Sequence, residues 1–148
     1  MSPCLLTRAP PQSTLREPLE EAEFRLPLRA ADFKAAGGVV VDGFAAGVRG
    51  GAFGPAWSGA AVNHEGFRAC VAEGGDKAGW ALLRQSLHDP LLVLNVESDV
   101  AGGGAAIAHE CLCWLQKHGG DDVDVSALEA AFAPGAPWTR FGPRTCSS

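Results

Sequence analysis

The chain has 148 residues, 47% of them apolar and 20% charged. That is ordinary globular usage over the length of one domain, so a disordered polymer is excluded and a second core is not expected. No apolar run approaches the roughly 20 residues that span a bilayer. With a formal charge of −5 and twelve Lys and Arg spread along the chain, neither a membrane nor nucleic acid is the expected partner, since phosphates need a concentrated basic face.

In chain order, residues 1–22 read as a flexible N-terminal tail with several prolines and no sustained periodicity. Met1 to Arg16 lacks acidic residues, a trait shared with organelle transit peptides, while the default compartment is intracellular and cytoplasmic. A folded domain over 23–140 is expected, with 141–148 as a C-terminal tail. Arg25 to Leu28 reads as a short strand and Leu28 to Ala35 as a short helix stopped by Gly37-Gly38. The β-branched run Val39-Val40-Val41, ending in Asp42, has the pattern of a central parallel strand buried on both faces.

The glycine-dense passage 43–59 reads as loop. Gly66 to Glu73 is predicted helical from Phe67 and Val71, and Gly79 to Leu87 from Trp80, Leu83 and Leu87. Pro90 to Asn95 reads as a strand. Ala105 to His118 carries a broad apolar helical stripe, closed by Gly119-Gly120. Asp121 to Val125 reads as a last strand, and Ser126 with Glu129 fits a capping box for a helix through Phe132. Alternating strands and helices imply an α/β layer fold with a central parallel sheet flanked by helices.

The candidate site is the segment after the 90–95 strand. Asn95, Glu97, Ser98 and Asp99 lead into Gly102, Gly103 and Gly104, directly before a helix. A strand, a glycine turn and a helix N-terminus in that order can gather free N–H groups around an anion or phosphate. Asp42 is a candidate on a second loop. Glu97 and Asp99 could pair for acid–base work, or Asp99 or Ser98 could cap the helix.

Five cysteines, at 4, 70, 111, 113 and 146, show no Cys-x-x-Cys pair, so neither a zinc ribbon nor a disulfide framework is expected. Cys111 and Cys113 are the candidate nucleophiles, with burial in a core as the plainer reading. His109 and Cys113 share a helical face at a spacing that can hold a metal, but no second pair lies nearby and no metal or cofactor is expected.

The order of these stretches resembles the rhodanese-like domain. The resemblance is carried by Asp32-Phe33-Lys34, Gly37-Gly38-Val39-Val40-Val41-Asp42, Phe53, Gly59-Ala60-Ala61-Val62-Asn63, Phe67, Pro90 to Asn95, Trp114-Leu115, Gly119-Gly120-Asp121-Asp122-Val123 and Trp138. It implies a single rhodanese-like domain in which Asn95, Val96 and Glu97 stand where the persulfide cysteine belongs. The implied function is a non-catalytic binding or regulatory module contacting a protein partner or small anion through the 95–104 loop. Sulfur transfer by a displaced Cys111 or Cys113 is the alternative. Val93-Leu94-Asn95 with its triple glycine also resembles the ribose-binding loop of macrodomains and poly(ADP-ribose) glycohydrolases, which implies ADP-ribose or phosphate binding.

Overall fold

A computed structural model of the chain describes residues 20–59, 66–72 and 78–133. The expectations placed on Asn63 and Trp138, and on the tails up to residue 19 and from 141, lie outside the described residues.

Strand β1 (Glu20–Pro27) is followed by helix α1 (Phe33–Arg49). Four strands then come in succession: β2 (Trp57–Gly59), β3 (Gly66–Val71), β4 (Gly79–Gln85) and β5 (Leu91–Ser98). Helix α2 (Gly103–His118), a 3-10 turn over Gly120–Asp122 and the short helix α3 (Ser126–Ala130) complete the described chain. The sheet order is β1-β5-β4-β3-β2 and every pairing is antiparallel. Helix α1 thus carries the chain from one sheet edge to the other, and the β2–β5 meander returns it until β5 lies beside β1.

This overturns the expected central parallel sheet. Parallel neighbours need a crossover helix between them, and the helices predicted over 66–73 and 79–87 are the strands β3 and β4. The misleading signal was the spacing of Phe67 and Val71. Four residues is close to one helical turn, but it is also an even number, so both side chains point the same way from a strand. In β3 the inward set is Phe67, Ala69 and Val71, and in β4 it includes Ala81 and Leu83. Leu87, taken as part of the second helical face, is 75% exposed.

The converse correction applies to Val39-Val40-Val41-Asp42 and to the loop expected over 43–59. Residues 39–49 are helical, because Val40, Phe44 and Val48 recur every fourth residue and are all buried. Val39 is 71% exposed, which a strand buried on both faces does not allow. Asp32 accepts a hydrogen bond from the Ala35 N–H at 3.2 Å and starts the helix. The expected strand over 121–125 is reduced to a single bridge between Leu28 and Val123. The capping box at Ser126 is not formed: Asp124 accepts from the Ser126 N–H, and Glu129 accepts from Gln116.

The helices share one face of the sheet. Phe24, Leu26, Leu83, Leu92, Leu94 and Val96 point from the strands into one buried cluster with Phe44 of α1, Ile107 and Leu115 of α2 and Leu128 of α3. Phe44 lies at its centre, edge-on to Phe53, Phe67 and Trp114 with ring centroids 5.4, 5.9 and 5.7 Å away. None of the described helices packs on the opposite face of the sheet.

Phe44→Ala should lower the unfolding free energy by about 3–5 kcal/mol, the usual cost of emptying a buried aromatic site. Val39→Ser, which a buried strand would not tolerate, should stay within about 0.5 kcal/mol of the parent. Urea titration of the two variants measures both.

Candidate functional site

The glycine turn is where the sequence places it, but the N–H groups of Gly102, Gly103 and Ala105 are already engaged. Gly102 has φ +81°, a left-handed conformation that glycine adopts freely, and it opens α2. The Glu20 carboxylate, at the start of β1, accepts from the Gly102 N–H at 2.7 Å and from the Ala105 N–H at 3.1 Å. The Gly103 N–H donates to Val100 O at 2.8 Å. The positive end of α2 is therefore neutralised by a carboxylate of the same chain. Gly104 explains the close fit: a Cβ there would stand 2.8 Å from both Cβ and Oε1 of Glu20.

Asn95, Glu97 and Ser98 belong to β5 rather than to a loop. Ser98 points to the helix side and is buried, donating to Ala78 O at 2.8 Å and accepting from the Val100 N–H at 3.1 Å. Asp99 is exposed at the bend, where its N–H donates to Ala78 O. Asp42 is exposed on α1, at a distance along the chain from any loop.

The cysteines are corrected as well. Cys111 is free and buried in α2, where desolvation, aided by Glu110, pushes its thiol far above the ordinary range. A thiol held protonated in this way is a poor nucleophile. Cys113, whose Sγ is 3.8 Å from His109 Nδ1, is disulfide-bonded, and so is Cys70 on β3. Disulfides were not expected because their partners are distant in sequence and no local spacing announces them. Among the described residues no cluster of His, Cys, Asp and Glu could hold a metal ion, and none of the described helices is long and apolar enough to cross a membrane.

The chemistry gathers on the helix-free sheet face, through antiparallel register. Glu97 is paired with Glu21 on β1 and with Trp80 on β4, and Trp80 is paired in turn with Cys70 on β3. Alternation turns all four away from the core. The Arg68 guanidinium lies over the Trp80 ring, 4.2 Å from its centroid. Burial first, then the Glu21 carboxylate, raises the Glu97 carboxyl above the ordinary carboxylate range; Arg68 lowers it, Asp99 adds to the rise, and a hydrogen bond from Trp80 opposes it.

In the next row Asn95 faces Glu23 and Leu82. Its Oδ1 is buried and accepts no hydrogen bond from any described residue. Beyond it Val93, flanked by Arg25 and Arg84, is only 4% exposed although it points away from the core. The other such atom, Trp57 Nε1, lies inside the core with Phe53 stacked on the indole at 4.6 Å.

Comparison with protein-family models, with curated proteins and with solved structures returns no match. Function is then read from the geometry alone. Two of the residues singled out from the sequence, Asn95 and Glu97, stand on this face. Arg68, Trp80, Leu82 and Arg84 were missed as site residues because 66–73 and 79–87 read as helices; the alternation of Ala81 and Leu83 with Trp80 and Leu82 was the available signal.

Glu20→Ala should cost about 1 kcal/mol by removing the N-terminal cap of α2. Gly104→Ala should destabilise by crowding Glu20, and the double variant should lose less than the two single losses combined, because Glu20→Ala vacates the space. Urea unfolding of the three variants reads that coupling. For Glu97 the sign follows from its raised folded-state pKa: its contribution is fully present below the unfolded value of about 4.3 and is lost as pH rises through the folded one. Glu97→Gln should therefore gain stability relative to the parent between pH 4 and pH 7, with no gain at the acid end.

Proposed function

We propose that this chain is a non-catalytic binding module and that its contact surface is the helix-free face of the sheet. The observation that carries the reading is the Glu97–Trp80–Arg68 cluster standing beside the unsatisfied Asn95 Oδ1. A buried acceptor without a donor costs about 1–3 kcal/mol, a cost removed when an N–H reaches it. Trp80 and Leu82 provide apolar area, and charges of both signs surround them: Glu21, Glu23 and Glu97 against Arg25, Arg68 and Arg84. Such a mixture suits an extended polypeptide, which brings backbone N–H groups, apolar side chains and charges together. Phosphate-rich ligands are disfavoured by the interleaved carboxylates.

Catalytic readings lose their residues. Sulfur transfer needs a thiolate, but Cys111 is buried with a raised pKa and Cys113 is oxidised. Phosphate or ADP-ribose binding at the glycine turn would have to displace Glu20 from the same amides.

Selection of a displayed random peptide library on the protein, held under reducing conditions because Cys70 on this face is oxidised, tests the proposal. Selected peptides should bind at least 10-fold more weakly to Trp80→Ala and equally well to Asp42→Ala. Failure to enrich any sequence, or indifference to Trp80→Ala, would refute it. Turnover of thiosulfate and cyanide should be undetectable, and Cys111→Ser should leave that result unchanged.

A further inference from the structure

The sheet ends at two unlike edges: β2 is three residues long, whereas β1 has eight. Along a strand, successive N–H and C=O groups point to opposite sides, so half of those on β1 bond β5 and the other half point away from the sheet. The Leu28 N–H donates to Pro90 O, which assigns the even-numbered residues to β5. The odd-numbered groups face outward: the Pro27 carbonyl accepts from the Asp124 N–H, and the Arg29 N–H donates to Asp122 O.

Residues 122–124 thus strap the far end of this edge, and Pro27 has no N–H to offer. Between Glu20 and Leu26 the edge is open. No described residue bonds the outward N–H or C=O of Glu21, Glu23 or Arg25, and all three residues are exposed. Such a row is a template for another strand.

The side chains decide which strand fits. A row of one sign would repel its own copy, but this row turns from acidic at Glu21 and Glu23 to basic at Arg25. Laid antiparallel on a second copy, it meets the opposite order. Outward groups bond only where odd residues face odd residues, which leaves few registers. With Glu23 on the two-fold axis, Glu21 stands opposite the partner's Arg25, and Arg25 opposite the partner's Glu21. Every outward N–H and C=O of the three residues is then bonded, and on the helix side Ala22 meets the partner's Phe24.

The neighbouring registers are worse. An axis at Phe24 puts Glu21 opposite the partner's Pro27, where residues 122–124 already lie. An axis at Ala22 puts Glu21 opposite the partner's Glu23 twice, and like charges directly opposed are destabilising. In the favoured register Glu23 does meet its own copy, but Arg25 Nε lies 3.6 Å from Glu23 Oε1 on the same strand and offsets the repulsion.

We propose that β1 is a self-pairing edge: two copies of this chain join antiparallel through Glu21, Glu23 and Arg25, with Glu23 on the axis. The two sheets become one, and both helix-free faces lie on the same side of it. The dimer is independent of the polypeptide-binding reading, because it uses the backbone of the edge and needs no ligand.

Sedimentation equilibrium of the full chain over a range of concentrations tests it. The parent should reach twice the monomer mass; a monomer throughout overturns the proposal. Glu23→Pro removes only an outward N–H, at an edge position that proline tolerates, and should weaken association by about 10-fold or more. Association as tight as the parent's overturns the proposal. Where circular dichroism shows that variant unfolded, charge reversal carries the test. Arg25→Glu should weaken the dimer by about 10-fold, and adding Glu21→Arg should restore most of the loss by rebuilding the opposed pairs with their signs exchanged. A double variant as weak as Arg25→Glu alone overturns the register. Finally, Glu23→Cys should cross-link two copies under mild oxidation, because directly opposed bonded residues have Cα atoms about 5.5 Å apart, within disulfide reach. Peptide mapping should find residue 23 joined to residue 23; its absence overturns the axis. Failure of the library selection leaves this dimer standing, and a monomeric protein leaves the selection standing.

Discussion

Eight residues of β1 lie in antiparallel register with eight of β5, Glu20 opposite Ser98 and Pro27 opposite Leu91, and the remaining architecture depends on that ladder. It joins the first described element to the fifth strand, so the β2–β5 meander cannot peel away from the edge where the chain began. The pairing buries Phe24 and Leu26 against Leu94 and Leu92, and it sets Glu20 level with the end of β5, where the chain turns into α2. A slip of one residue would send Phe24 and Leu26 to the opposite face and withdraw the Glu20 carboxylate from the helix amides.

Seen from that ladder, the glycine turn has a structural purpose. The amides at a helix start attract an anion by their geometry and dipole, and here the nearest anion is built into β1. Gly104 lets the carboxylate approach, and Gly102 supplies the left-handed turn between β5 and α2. What looks like an external binding cradle in one dimension is an internal contact between the two ends of a folded sheet.

The same register creates the opposite face. Antiparallel pairing aligns Glu21, Glu97, Trp80 and Cys70 across four strands, and Glu23, Asn95, Leu82 and Arg68 in the row beside them. Partial burial raises the Glu97 carboxyl, while cation–π contact holds Arg68 over Trp80. No pair among these residues is close in sequence, apart from those on the same strand.

The chain's sequence by itself determined a mixture of helix and strand, the β5 strand, the long α2 helix and the glycine turn between them. Those elements are legible because Pro90 opens the apolar run of β5, the stripe of α2 is long enough to show its helical period, and the glycines between them break both patterns. It also singled out Asn95 and Glu97. Tertiary structure decided everything that depended on an ambiguous period: Val39 to Asp42 became helix because Val40, Phe44 and Val48 found a common core, and Phe67 with Val71 became strand because Ala69 joined them on the inward face. It decided, too, that the sheet is antiparallel, that Glu20 fills the amide cradle and that Trp80 stands beside Glu97. Each of these is set by a register between segments far apart in the chain, and register is fixed only when the buried faces meet.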